Sequence, residues 1–442
     1  MAAALATALQ SQASALRPTT TTVMRPDGSR FRLAKDSLGQ EVLLPSDGAA
    51  EQGQARMPAT NSYLGLTKDT GAPLSEDTNS AAAAAADPHT DVSNTSTTAA
   101  DAAAAAAATA AAEDTATSMG TNMDVSACPR FEASDPHMMA HLDEFGYVVV
   151  RNAVGSVGNR REAEELLWAF LEEHAGWDRA DPTSWTTESF DSVADVCKGI
   201  LYKRGIGQSD FQWFVRTLPG VRAVFEEVWG TDELLTSFDG CNVFRPWHNE
   251  ALAHTKTLGG WWHVDQGKNK IGRHAVQGVV TLRAANAQTG GLCVLPGSHR
   301  HHERIVGEAE GYKDYVRILE DDPVMTSATP KLVVAEAGDM ILWDSRTVHC
   351  NTPALETPTV ADHSTTDFLR IASYVCMTPR EFSDPTIVKV RERGYENRMT
   401  TGHWAHLFPT GTCGKDASGR LDLATASEEV RRLVSGLGTS GK

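Results

Sequence analysis

The chain has 442 residues and a formal charge of −17 at pH 7. That sign opposes binding to a phosphate backbone, so no nucleic-acid partner is expected, and without a run of about 18 apolar residues no membrane span is expected. Its seven cysteines are scattered, none in a CxxC pair, which fits a reducing compartment better than a disulfide framework.

Residues 1–127 read as a disordered, low-complexity region rich in Ala, Ser and Thr. Tracts such as SAAAAAADPH and DAAAAAAATAAAED favour helix locally but bury too little area to offset chain entropy. Residues 1–25 carry Arg17 and Arg25 with no acid before Asp27, the composition of an organelle transit peptide. The expected location is nevertheless the cytoplasm, with an unstructured start to the chain; import into an organelle lumen through this segment is the alternative. Within this region GSRFRLAKDSLGQEVLLPSDG has the pattern of a short hairpin.

A folded domain is expected over residues 128–412. Asp135 is placed to cap a helix that begins at Pro136 and stops at Gly146. YVVV then reads as a strand. NRREAEELLWAFLEEHAGW sets Leu166, Leu167, Phe170 and Leu171 on one helical stripe. Two shorter helices are expected in SDFQWFVRTL, capped by Ser209, and in PGVRAVFEEVWG, ending at Gly230. From Leu234 the texture turns to strands: LLTSFDGCNVF, GWWHVDQ, VQGVVTLRAA, GLCVLPG, KLVVAEAGDMILWDS and FLRIASYVCM. Many short strands punctuated by Gly, Pro, Asn and Asp suggest a barrel or double-sheet jelly roll, buttressed by the early helices. Residues 413–442 form a tail with one amphipathic helix, SEEVRRLVSGL, expected at the periphery.

The stretch GGWWHVDQG carries the chemistry. Alternate residues of a strand share a face, so His263 and Asp265 project together with Trp261, while Trp262 and Val264 point the other way. An imidazole beside a carboxylate supplies two-thirds of a 2-His-1-carboxylate site. Such a triad fills one face of an octahedral ion and leaves the other open. GDMILWDSRTVHCN offers the third member: a turn at Gly338–Asp339, an apolar strand, then His349. An HxD pair by itself is common on protein surfaces, so the neighbouring segments decide its meaning.

Those segments, WWHVDQG, GLCVLPGSHRHH and AGDMILWDSRTVHCN in this order, resemble the phytanoyl-CoA dioxygenase family, a branch of the Fe(II)/2-oxoglutarate oxygenases. LDEFGYVVVRNAV resembles the family's opening helix and strand, and the resemblance spans residues 130–380 or so. It implies a mainly β fold with flanking helices around a double-stranded β-helix (jelly-roll, cupin-like) core. It also implies Fe(II) held by His263, Asp265 and His349, with 2-oxoglutarate as co-substrate and O2 as oxidant. The far carboxylate of 2-oxoglutarate needs a buried cation, and the planar fork of arginine suits it. Arg370, in DFLRIASYVCM, is the best candidate. It lies farther past the distal His than the family's usual spacing, after what looks like a loop insertion, ALETPTVADHSTTD. Arg346 is the nearer rival, with an ion pair as its other role. Thr281, Asn351 and Ser373 are candidates for further hydrogen bonds to the co-substrate, and each is equally an ordinary strand polar residue.

Trp261 is a candidate wall of the iron pocket, Trp262 a core residue, and Gln277 and Lys256 candidate cavity-lining residues. GSHRHHE is read as a polar segment on the surface or at the substrate mouth, not as a second metal site through His299, His301 and His302. The resemblance implies hydroxylation of a small organic substrate with succinate and CO2 as co-products. Asp265 fills the position that halogenating relatives leave small, which favours hydroxylation over halogenation. Two other readings stay open: a Zn(II) hydrolase using the same triad, and a catalytically inactive jelly-roll binding or scaffold module. Nothing marks a CoA site. The loop between Pro353 and Asp367 and the helices before residue 230 are expected to shape the substrate mouth.

Overall fold

The computed structural model describes three short strands between residues 17 and 45, and residues 123–438 apart from residue 308, residues 310–313 and residues 413–418. The three strands, Arg17–Met24, Arg30–Lys35 and Glu41–Pro45, pair antiparallel in sequence order. The expected hairpin maps onto the second and third of them, with Leu33 opposite Leu43. The first strand adds to it within the segment read as transit peptide. The alanine tracts and residues 1–16 lie outside the described residues.

Within the domain, α1 (Pro136–Phe145) begins as the sequence predicts, with the Asp135 carboxylate accepting from the His137 amide. Gly146 ends it at φ 77°, a conformation that glycine adopts without penalty. A Cβ there would also stand 2.5 Å from both His299 Nδ1 and Thr347 Oγ1. The chain continues into β1 (Tyr147–Val150), α2 (Val157–Ala175), α3 (Asp210–Thr217), α4 (Pro219–Trp229) and β2 (Cys241–Phe244). After these come β3 (His263–Val264), β4 (Val276–Thr281), β5 (Gly291–Val294), β6 (Lys331–Leu332), β7 (Met340–Asp344), β8 (His349–Thr352) and β9 (Arg370–Pro379). Two helices follow, α5 (Pro385–Glu396) and α6 (Glu428–Ser435). Among the described residues no helix is long and apolar enough to cross a membrane.

The strands form two sheets. In the larger, the order runs β1-β7-β4-β9-β2, extended by short strands at both edges. In the smaller, Val316–Arg317 is followed by β3-β8-β5-β6. From β2 to β9 the chain passes back and forth between the two, which is the winding of a double-stranded β-helix. All these pairings are antiparallel; the exception is the edge strand Arg130–Phe131, which runs parallel to β1.

Side-chain alternation explains why so many strand residues are apolar. On β7, Ile341 and Trp343 enter the space between the sheets, and Met340 and Leu342 meet the helices. On β1, Tyr147 and Val149 point inward, and Val148 and Val150 outward. Both faces of the larger sheet are covered, so YVVV has no need of polar positions. Leu167, Phe170 and Leu171 of α2 and Phe211 and Val215 of α3 belong to the outer layer, with Leu166 partly buried against it. Val430, Leu433 and Val434 of α6 lie in that same cluster. The C-terminal helix is thus part of the main core and not peripheral: its i, i+3, i+4 stripe is narrow but wholly buried.

Candidate metal centre

His263 and His349 face each other across β3 and β8 as direct antiparallel partners. Asp265 follows β3, its amide donating to the Ser345 carbonyl at 3.1 Å. One oxygen of Asp265 lies 3.3 Å from His263 Nε2 and the other 3.3 Å from His349 Nε2. Three candidate ligand atoms, one from each residue, all lie within 4.8 Å of one another. Each residue is only 4% exposed.

The tautomers follow from the backbone. His263 Nδ1 lies 3.0 Å from the Trp261 carbonyl, and His349 Nδ1 lies 2.9 Å from that of Thr347. A carbonyl only accepts, so each Nδ1 donates and each neutral ring turns its Nε2 lone pair to the centre. Burial and the neighbouring His349 push the pKa of His263 down, favouring that neutral form. Burial opposes ionisation of Asp265, but protons on Nε2 of His263 and His349 outweigh it and hold the carboxyl well below its usual range; a metal ion at the same point would take the place of those protons. Two neutral nitrogens and one anionic oxygen on one side of a point are the donor set of an open-faced divalent metal site, and suit Fe(II).

The surroundings fix the rings. Gln277 of β4 donates through Nε2 to Asp265 Oδ2 at 3.0 Å. Trp261 stacks on His263 with centroids 5.1 Å apart, and Tyr315 stacks on the same imidazole at 4.6 Å. Trp343 leans on His349 at 5.3 Å. Trp261, Gln277 and Trp343 line a cavity against the triad, as expected for the first two. Trp262 is buried in the outer core of the smaller sheet. Tyr315 escaped the sequence reading because DYVRIL carries no clear periodicity or turn signal around it.

Arg370 is the first residue of β9, brought beside Phe244 of β2 by the loop that precedes it. It is 1% exposed. Its Nη1 donates to Asn351 Oδ1 at 2.9 Å and to Asn242 Oδ1 at 3.1 Å. Its Nε and Nη2 are buried with no hydrogen-bond partner. Burial pulls its pKa down, because no carboxylate accompanies it. A buried guanidinium with one unoccupied edge is costly unless an anion completes it.

The other expected residues divide. Asn351 lines the cavity and joins Arg370 to Tyr374, whose hydroxyl lies 3.4 Å from its Nδ2. Arg346 is engaged by Asp344 through two hydrogen bonds of 2.9 and 2.7 Å. Thr281 sits at the far end of β4, its hydroxyl donating to the carbonyls of Glu336 and Asp339. Ser373 faces the helices and donates to Gln212. The structure brings neither Thr281 nor Ser373 to the cavity. Lys256 lies at the end of a 3-10 turn with its ammonium 4.4 Å from the Trp247 ring. Of the histidines of GSHRHHE, His301 is exposed at the surface. His299 and His302 are buried, with Nε2 bonded to the carbonyls of Asp143 and Gln266. The turn at Gly297 brings His299 to α1, where the Asp143 carbonyl meets its Nε2, while Arg300, His301 and Glu303 stay exposed. Among the described residues the triad is the one group of His, Cys, Asp and Glu arranged to hold a metal.

Residues 142–353 match the family model for phytanoyl-CoA dioxygenase (PhyH). The chain is similar to Ava biosynthesis cluster protein O of Aspergillus versicolor, with 27% identity over 319 residues, covering 67% of this chain and 96% of that protein. Among solved structures it is similar to SnoK, a non-heme alpha-ketoglutarate-dependent carbocyclase from nogalamycin biosynthesis. There the identity is 16% and the TM-score 0.38, over 57% of this chain and 86% of that one. It is also similar to EctD from S. alaskensis with bound Fe, at 16% identity and a TM-score of 0.37, over 59% of this chain and 82% of that one.

Proposed function

We propose, from the match of residues 142–353 to the phytanoyl-CoA dioxygenase (PhyH) family model and the geometry of the triad, that this chain is an Fe(II)- and 2-oxoglutarate-dependent oxygenase that hydroxylates a small organic substrate and releases succinate and CO2. The observation that carries the reading is the convergence of His263, Asp265 and His349 within 4.8 Å. His263 and His349 would hold Fe(II) through Nε2, and Asp265 through one carboxylate oxygen. Iron bound there with 2-oxoglutarate supplies the O2-derived oxidant for a C–H bond.

The protein's own part is orientation and exclusion of water. The carbonyls of Trp261 and Thr347 hold the two imidazoles in the ligating tautomer. Gln277 restrains the Asp265 carboxylate. Arg370 would receive the far carboxylate of 2-oxoglutarate on its unoccupied Nε–Nη2 edge, with Asn351 setting the plane of the guanidinium. Arg346, already engaged by Asp344, is not needed for this. Thr281 and Ser373 serve the sheet, not the co-substrate. The Aspergillus relative is named for a biosynthesis cluster, which supports a small organic substrate.

The test is turnover of carboxyl-labelled 2-oxoglutarate by the purified chain in a metabolite extract. Fe(II)-dependent CO2 release with a product heavier by one oxygen supports the reading. Hydrolysis products without consumption of 2-oxoglutarate contradict it.

A further inference from the structure

Asp239 lies between the strand Leu234–Thr236 and β2. Its backbone is clamped. The Asp239 carbonyl accepts from Gln212 Nε2 at 2.8 Å and from Arg216 Nη2 at 2.6 Å. At the next residue, a Cβ on Gly240 would fall 1.8 Å from the Leu201 carbonyl oxygen, so the turn admits only glycine there. This fixes the direction of the Asp239 side chain, which lines the cavity with Asp265, Gln277 and Tyr374.

The residue is 2% exposed. Arg216 spends its donors on the carbonyls of Gly207 and Asp239 and not on the carboxylate. Among the described residues Asp239 forms no ion pair, and Ser237 is the neighbouring side chain that favours its ionised form. Burial lifts its carboxyl to about 8, with Arg216 and Ser237 only partly offsetting that.

Charge balance gives the consequence. In the loaded site the metal and Arg370 together balance the two carboxylates of 2-oxoglutarate and that of Asp265. The acidic residues lining the cavity are Asp239 and Asp265; Arg370 stands behind the lining Asn351, and Arg216 behind the Asp239 carbonyl. Asp239 is therefore a buried acid that faces substrate space, with Arg216 held on its backbone carbonyl and no cation bonded to its carboxylate. The remaining walls include Trp343 and Tyr374, which suit an apolar body, and Trp261, whose ring is already stacked on His263 and covered by Lys198 at 4.9 Å.

We propose that Asp239 is the substrate-recognition residue, and that it takes the protonated amine of a substrate whose remaining body is apolar or aromatic. This deepens the oxygenase reading by naming a substrate class, and it rests on that reading for the reaction, but its binding test does not.

The test uses two probes of one skeleton, 2-phenylethylamine and 2-phenylethanol, titrated calorimetrically into the full chain loaded anaerobically with Fe(II) and 2-oxoglutarate. The amine should bind at least about tenfold more tightly than the alcohol. In Asp239→Asn, which keeps the shape and the Ser237 contact, that preference should fall below about twofold. The thermal midpoint of the variant should stay equal or rise, since a buried carboxyl without a cation is removed; a purely structural role would lower it. Equal affinity for the two probes, no binding of either, or a preference that survives in Asp239→Asn overturns the proposal. The visible band that forms on loading reports the oxygenase reading separately. If the band is absent, that reading fails, and the amine preference of the same sample still decides the role of Asp239.

Discussion

His263 and His349 are cross-strand partners whose ring centroids lie 4.2 Å apart, with one Asp265 oxygen 3.3 Å from each Nε2. The strand pairing itself creates the site: the register that zips β3 to β8 also aligns the imidazoles. We expect His263→Ala and His349→Ala each to weaken Fe(II) binding by more than the roughly 10–100-fold typical of losing an outer supporting group, with little change in secondary structure by circular dichroism. Retained stoichiometric iron in both variants would contradict the assignment.

Gln277 acts through Asp265 and not on the metal, because its amide donates to Oδ2. Gln277→Leu should lower Fe(II) affinity by about 10–100-fold while leaving the affinity of the loaded protein for 2-oxoglutarate nearly unchanged. Equilibrium dialysis against a competing chelator measures the first, and anaerobic titration the second. A larger loss of 2-oxoglutarate than of iron would place Gln277 elsewhere in the mechanism.

Arg370 and Arg346 are separable. Arg370 has an open edge, and Arg346 is bound to Asp344. Charged hydrogen bonds are worth roughly 1.5–3 kcal/mol each, so Arg370→Lys should raise the KM for 2-oxoglutarate by about ten- to a hundredfold through loss of the second one. Arg346→Lys should change it less than about threefold, since exposed or already paired cations contribute little. The reverse ranking would move the anchor to Arg346.

The last helix is a stability element. Leu433 is buried with Val430 and Val434 in the cluster that covers the larger sheet. Leu433→Ala should therefore cost about 2–5 kcal/mol in chemical denaturation, and iron binding of the folded fraction should persist. A loss under about 0.5 kcal/mol, the range of surface substitutions, would return α6 to the periphery.

Much of this was legible in the sequence, for reasons specific to particular residues. Asp135, Ser209, Gly146 and Gly230 bound their helices because caps act locally. His263 and Asp265 were legible as a pair because a two-residue period is a local property. His349 was legible as the third member through the segment that resembles the family. What local pattern does not carry is what the sheets bring together. Ser373 and Tyr374 are neighbours in β9, yet Ser373 meets α3 and Tyr374 meets the cavity. Only the sheet's placement tells which face is which. Tyr315 and Asp239 come from irregular segments, where no periodicity marks a direction. The burial of His299 and His302 depends on α1 and on the Gln266 carbonyl, far off in the chain.

The most direct measurement is an anaerobic titration of the iron-loaded chain with 2-oxoglutarate, followed by visible absorption. The account predicts a charge-transfer band that saturates at one equivalent, is absent in Asp265→Ala, and needs far more 2-oxoglutarate in Arg370→Lys. Full iron loading with no band at any concentration of 2-oxoglutarate would contradict it.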